Sequence, residues 1–157
     1  MSNLQKYFTG FLLIIFFGLG AYYLVHFGYY PVAVVGNKLI TANRLDIEYA
    51  VAHNYYVRAL SSSDEADPES REFKRELRRA VMENLIEQSL IQQDLTQRLG
   101  KDLASVVEGK LLGIQQKDPK ILEETAKLLY GINLSDFTSL VLLPQAHKEI
   151  LQGRLFL

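Results

Sequence analysis

Residues 7–30, YFTGFLLIIFFGLGAYYLVHFGYY, form a long apolar run, and no Asp, Glu, Lys or Arg occurs from Tyr7 to Asn37. A helix of that length covers roughly 30 Å of hydrocarbon. Tyr7 at one end and Tyr29 and Tyr30 at the other suit the membrane–water interface. The pattern predicts a transmembrane anchor over 7–30. Lys6 and the terminal amine then place residues 1–6 in the cytoplasm and the rest outside. Gly18, Gly20 and Ala21 also fit a signal-peptide cleavage site. Continuation of the run to Tyr30 favours an uncleaved anchor, and both readings export residues 31–157.

The pattern then shortens. The runs VAVV and KLIT flank Gly36-Asn37, a two-residue hairpin signal in which both residue types tolerate positive φ. A lone hairpin is marginal in water. It is therefore expected to pack against the long helix that begins at Pro68 and against the final segment bearing Phe137. Thr41 is a suitable N-cap for a helix over 42–60. Leu45, Tyr49, Ala52, Tyr56 and Leu60 form one stripe on it, and Ile47, Val51 and Tyr55 a second, so it should touch two surfaces. The polar break SSSDEADPES follows.

Asp67-Pro68 predicts the start of a helix that runs to Leu99 and stops at Gly100. Phe73, Leu77, Val81, Ile91, Leu95 and Leu99 share its main stripe. Met82, Leu85, Ile86 and Leu90 widen that stripe, which predicts burial around most of the circumference at mid-helix. Asp102, Asp118-Pro119 and Ser135 are the expected caps of later helices, and Gly131 is a stop. Gly109 and Gly113 predict a frayed or closely packed helix. Pro144 should kink or split the last segment. The fold class expected is mainly α: an N-terminal transmembrane helix, a short β-hairpin, then a helical bundle with one long central helix.

Composition narrows the function. Seventeen Lys+Arg against eighteen Asp+Glu leave a net charge of −1, with no basic footprint for nucleic acid. The chain has no cysteine, which excludes disulfides, thiolate metal sites, a Cys nucleophile and a lipoprotein anchor. His26, His53 and His147 lack metal-ligand spacing. No G-x-S-x-G, G-x-G-x-x-G or P-loop occurs. No catalytic residue, metal or cofactor is assigned. Aromatic and Met side chains suit tolerant binding surfaces, so Tyr49, Tyr55, Tyr56 and Met82 are the candidate client contacts. For any one of them ordinary core packing is the commoner role. Tyr22, Tyr23 and His26 are candidates for contact with a membrane-protein partner.

The order VVGNKLIT, helix, polar break and LRRAVMENLIEQSLIQQDLTQRLG resembles the N-terminal chaperone region of the SurA, PrsA and PpiD group of exported foldases. Leu85-Ile86, Leu90-Ile91 and Gly100 fall on the group's long-helix pattern. LLYGINLSDFTSLVLLP resembles its later element, so the resemblance runs over about 32–157. Gly36-Asn37 reverses the group's usual Asn-Gly. The parvulin isomerase domain that often follows in the group does not appear before Leu157. The resemblance implies an ATP-independent holdase at the cell (inner) membrane that binds unfolded exported polypeptides. Its N-terminal helix would lie in the lipid bilayer, which raises local concentration near the site of export. The alternatives are the N-terminal fragment of a parvulin-type prolyl isomerase and a non-enzymatic membrane assembly subunit.

Overall fold

The computed structural model describes residues 3–60 and 67–155; positions 61–66 of the polar break lie outside the described residues. Helix α1 (Asn3–His26) leads into strands β1 (Pro31–Val35) and β2 (Lys38–Thr41). Helices α2 (Ala42–Leu60), α3 (Arg71–Leu99) and α4 (Leu103–Gln115) follow. Helix α5 (Pro119–Thr125) continues through a π turn over Ala126–Tyr130. The short α6 (Leu134–Phe137) runs through a second π turn, Thr138–Leu142, into α7 (Leu143–Leu155).

The mainly helical character, the hairpin and the long α3 agree with the sequence reading. The transmembrane helix does not. Among the described residues no helix is long and apolar enough to cross a membrane. Helix α1 ends at His26 rather than Tyr30. Its last turns carry Tyr22, Tyr23 and His26. Gly28, at φ 67°, turns the chain sharply, and its carbonyl accepts from Asn43 N at 2.8 Å. A Cβ there would lie 3.0 Å from Asn43 N, so glycine permits the close approach that ties α1 to α2.

The strands pair antiparallel, with Val35 opposite Lys38, so Gly36-Asn37 is the whole loop. Gly36 has φ 60°, and no non-glycine residue described has positive φ. The turn therefore needs left-handed geometry at its first central position alone, the type II′ requirement. The tight turn thus forms with glycine first, the reverse of the group's usual Asn-Gly.

The hairpin contributes Val35 and Ile40 to a first core with Leu45 of α2 and Leu77, Val81 and Leu85 of α3. Phe137 lies instead in a second core with Ala126 and Leu142. The hairpin thus packs on the long helix as expected, but Phe137 belongs to a different cluster. Its outer face leaves Val34 and Leu39 exposed.

Local signals explain most element ends. Thr41 Oγ1 accepts from Arg44 N at 3.3 Å, and α2 has the predicted bounds. Gly100, at φ 53°, ends α3 and donates its N–H to Thr96 O. Helix α3 begins three residues later than Asp67-Pro68 suggested. Ser70 Oγ accepts from Phe73 N at 3.2 Å, while Asp67 Oδ1 takes Glu69 N at 2.9 Å in a turn before the helix. Asp118 caps α5 through Ile121 N, as expected. Asp102 precedes α4 without a side-chain cap bond, and Asn133, not Ser135, caps α6. Pro144 does not split the last segment. Leu143 N bonds to Thr138 O, five residues back, so the widened turn falls directly before Pro144, which lacks an N–H. Nor is α3 buried all round: Leu85 is 4% exposed but Leu90 is 54% exposed.

Candidate functional site

The two cores leave a cleft between them. Helices α2 and α3 form one wall; the two π turns and the start of α7 form the other. Its volume is about 310 Å³, with Val51 and Ala52 of α2, Val81 and Ile91 of α3, and Leu140 and Val141 opposite. Glu87 and Lys148 pair across it at 2.8 Å. The heptad-like spacing of α3 explains its wall: Val81 faces the first core, and Ile91 leans off the same stripe toward the gap.

One buried charge lines this cleft. Glu48 is 8% exposed, and Arg44 donates to its Oε1 at 2.5 Å from one turn earlier on α2. Burial raises the Glu48 pKa above the ordinary carboxylate value, against the lowering effects of Arg44 and Gln88. The ion pair therefore offsets only part of the desolvation.

The candidate client residues do not line this cleft. Tyr49 and Met82 pack against the first core. Tyr49 stacks on His53 at 5.8 Å and lies 5.9 Å from the Arg78 guanidinium. Tyr55 stacks on Tyr130 at 5.0 Å, and Tyr56 meets Phe73 edge-on at 5.6 Å while remaining 40% exposed. Tyr55 and Tyr56 contact each other, and Tyr130 contacts Phe137 at 5.1 Å. A continuous chain of rings, Phe73–Tyr56–Tyr55–Tyr130–Phe137, thus joins the two cores. On α1, Tyr22 stacks on His26 at 5.5 Å and Tyr23 lies 4.3 Å from Phe27.

Sequence reasoning missed Tyr130, which belongs to both the ring chain and the cleft wall. Its signal was its place directly before the Gly131 stop, where a helix end is fixed by tertiary contacts. Arg58 fixes the same end by donating to Lys127 O at 2.8 Å and Leu128 O at 2.7 Å. Burial, then the neighbouring Tyr55, raises the Tyr130 pKa. Among the described residues no group of three His, Cys, Asp or Glu is placed to hold a metal ion. The arrangement can receive apolar side chains and orient them with a few polar groups.

These features define a small helical domain with a docked hairpin and an open, mostly apolar cleft between two cores. The chain belongs to the SurA-like N-terminal domain family, whose profile matches residues 1–100. That relates it to a chaperone family. Nothing among curated proteins or solved structures matches the chain. The matched span ends at Gly100, so α2 and α3 lie inside it and the opposite wall of the cleft lies outside.

Proposed function

We propose that this domain is an ATP-independent holdase that captures unfolded exported polypeptides outside the cytoplasm. The cleft between α2, α3 and α7 is the capture site. The observation that carries this reading is an open cleft walled by Val, Ala, Ile and Leu side chains in a chain of a chaperone-related family. At about 310 Å³ it sits at the small end of ligand pockets and takes one or two large side chains at a time. Weak, exchangeable capture suits a holdase. Tyr56, the most exposed of the four candidate residues, extends the apolar surface beside it; Tyr49, Tyr55 and Met82 contribute through the walls they support.

The test is suppression of aggregation of a denatured exported protein by the full chain at equimolar ratio. The full chain should suppress aggregation, and Ile91→Glu should lose that effect while its melting transition stays cooperative. Failure of the unaltered chain to suppress aggregation overturns the reading. The exposed rings of Tyr22, Tyr23 and His26 favour a second reading, an assembly subunit with one folded partner. Affinity capture separates the two: a single stoichiometric partner supports assembly, and a broad set of unfolded chains supports the holdase.

A further inference from the structure

A second, smaller recess adjoins the cleft. It has a volume of about 90 Å³ and is lined by Arg44, Gln88, Gln92 and His147, with Ser139, Leu143 and Pro144 completing the wall. Gln88 and Pro144 also line the cleft, so the two spaces share a border. Their chemistry differs. Most of the cleft's surface is apolar, with Glu87 and Lys148 paired across it, whereas the recess presents a guanidinium, an imidazole and two amides beside Leu143 and Pro144.

The donors there are only partly committed. Arg44 gives one terminal nitrogen to Glu48 Oε1, and a guanidinium carries five N–H donors. Gln92 Oε1 accepts from Lys38 Nζ at 2.5 Å, which leaves the Gln92 amide nitrogen as a donor. Ser139 donates its hydroxyl to Asp136 O at 3.0 Å and is not counted. Of the charged and titratable groups, Arg44 and His147 line the recess, Lys38 and Glu48 reach its Gln92 and Arg44, and Glu87 and Lys148 line the adjoining cleft as a pair. Burial and the nearby Lys38 charge lower the His147 pKa, as expected for an imidazole in a positively biased site.

We propose, building on the capture reading above, that the recess binds the C-terminal carboxylate of a captured polypeptide whose last apolar side chain enters the cleft. Charge complementarity selects an anion, and the shared border selects one attached to an apolar body. The recess is large enough for a carboxylate and its waters. A chain end fits that geometry. Arg44 is then a binding residue held in place by Glu48, which gives a use to an ion pair whose carboxylate is costly to bury.

The experiment is fluorescence anisotropy on the full chain with three labelled peptides of one sequence. The first ends in phenylalanine as the free acid, the second in phenylalanine amide, and the third in an amidated glutamate after the phenylalanine. Charge-assisted hydrogen bonds are the stronger kind, so the free acid should bind about ten-fold more tightly than the amide. Arg44→Gln with Glu48→Gln removes the buried pair together and should abolish that preference while the amide still binds. The NMR titration of His147 should move to higher pH with the free acid and stay put with the amide. Equal binding of acid and amide overturns the carboxylate site and leaves the capture reading standing. Absence of binding by any peptide overturns both. If the glutamate peptide matches the free acid, the assignment to a chain terminus is wrong.

Discussion

Gly36→Ala tests how the hairpin is docked. Gly36 has φ 60°, a region where an L-residue costs about 1–2 kcal/mol. An added Cβ would also lie 2.2 Å from Gln93 Oε1, so that amide must move. Gln93 Nε2 donates to Val35 O at 2.8 Å, and this bond, about 0.5–1.5 kcal/mol net, goes with it. The expected loss is about 2–3 kcal/mol, read as a lower urea midpoint with an unchanged slope. Gln93→Ala alone should cost about 1 kcal/mol. The double variant should cost less than the sum, because the bond can be lost only once and the truncated side chain makes room for the Cβ. A Gly36→Ala variant within about 0.5 kcal/mol of the parent, the usual range for a surface change, refutes the turn geometry. Strict additivity refutes the contact with Gln93.

Three further outcomes follow from the same structure. A Cβ at Gly109 or Gly113 meets nothing within 4 Å, so Gly109→Ala and Gly113→Ala should each stabilise α4 by up to about 1 kcal/mol in thermal unfolding; destabilisation would show a close contact there. Leu85→Ala should cost about 2–5 kcal/mol, whereas Leu90→Ala, at a mostly exposed position, should cost about 0.5 kcal/mol or less; comparable losses in urea would mean that α3 is buried all round. Glu48 carries a raised pKa in the folded state, so its protonated form is favoured by folding; that contribution is full below the unfolded pKa and is lost as pH rises through the folded value. Glu48→Gln should therefore raise the melting temperature at pH 7 and lose that advantage below about pH 4, where the parent side chain is also neutral; a gain that persists in acid would contradict the desolvation argument.

What could be read from the sequence was local. Thr41, Gly100, Asp118 and Gly131 act within one turn of themselves, and each marks an element end where expected. Competing local signals were harder. Asp67, Pro68 and Ser70 all favour a helix start, and Ser70 prevails because its hydroxyl reaches Phe73 N while Asp67 closes a turn on Glu69. Gly36-Asn37 announced a hairpin, but the turn type depends on backbone angles that composition leaves open. The apolar run over 7–30 was long enough to suggest a membrane span, whereas the helix itself ends at His26, before the Gly28 turn. The cleft was not legible at all. Its walls come from positions 48–52, 81–91 and 130–148, and periodicity within one helix shows which face is apolar without showing what faces it.

The cleft exists because the domain closes two cores instead of one. Val35, Ile40, Leu45, Leu77, Val81 and Leu85 complete the first among themselves, and Ala126, Phe137 and Leu142 complete the second. Ala52 and Val81 at the margin of the first core and Val141 at the margin of the second line the gap between them. What spans the seam is of another kind: stacked rings at Tyr55–Tyr130, the Arg58 bonds to the carbonyls of Lys127 and Leu128, and the Glu87–Lys148 pair. An aromatic pair contributes about 0.5–1.5 kcal/mol beyond its area, and exposed ion pairs about 0–1 kcal/mol. These contacts add to apolar burial outside the two clusters, where Leu95 of α3 and Ala146 of α7 are fully buried. Segments with few buried apolar contacts open at lower free energy than the cores around them. On the capture reading proposed above, the open cleft at this seam is where a side chain from outside would enter, and local opening there would not require the cores to unfold.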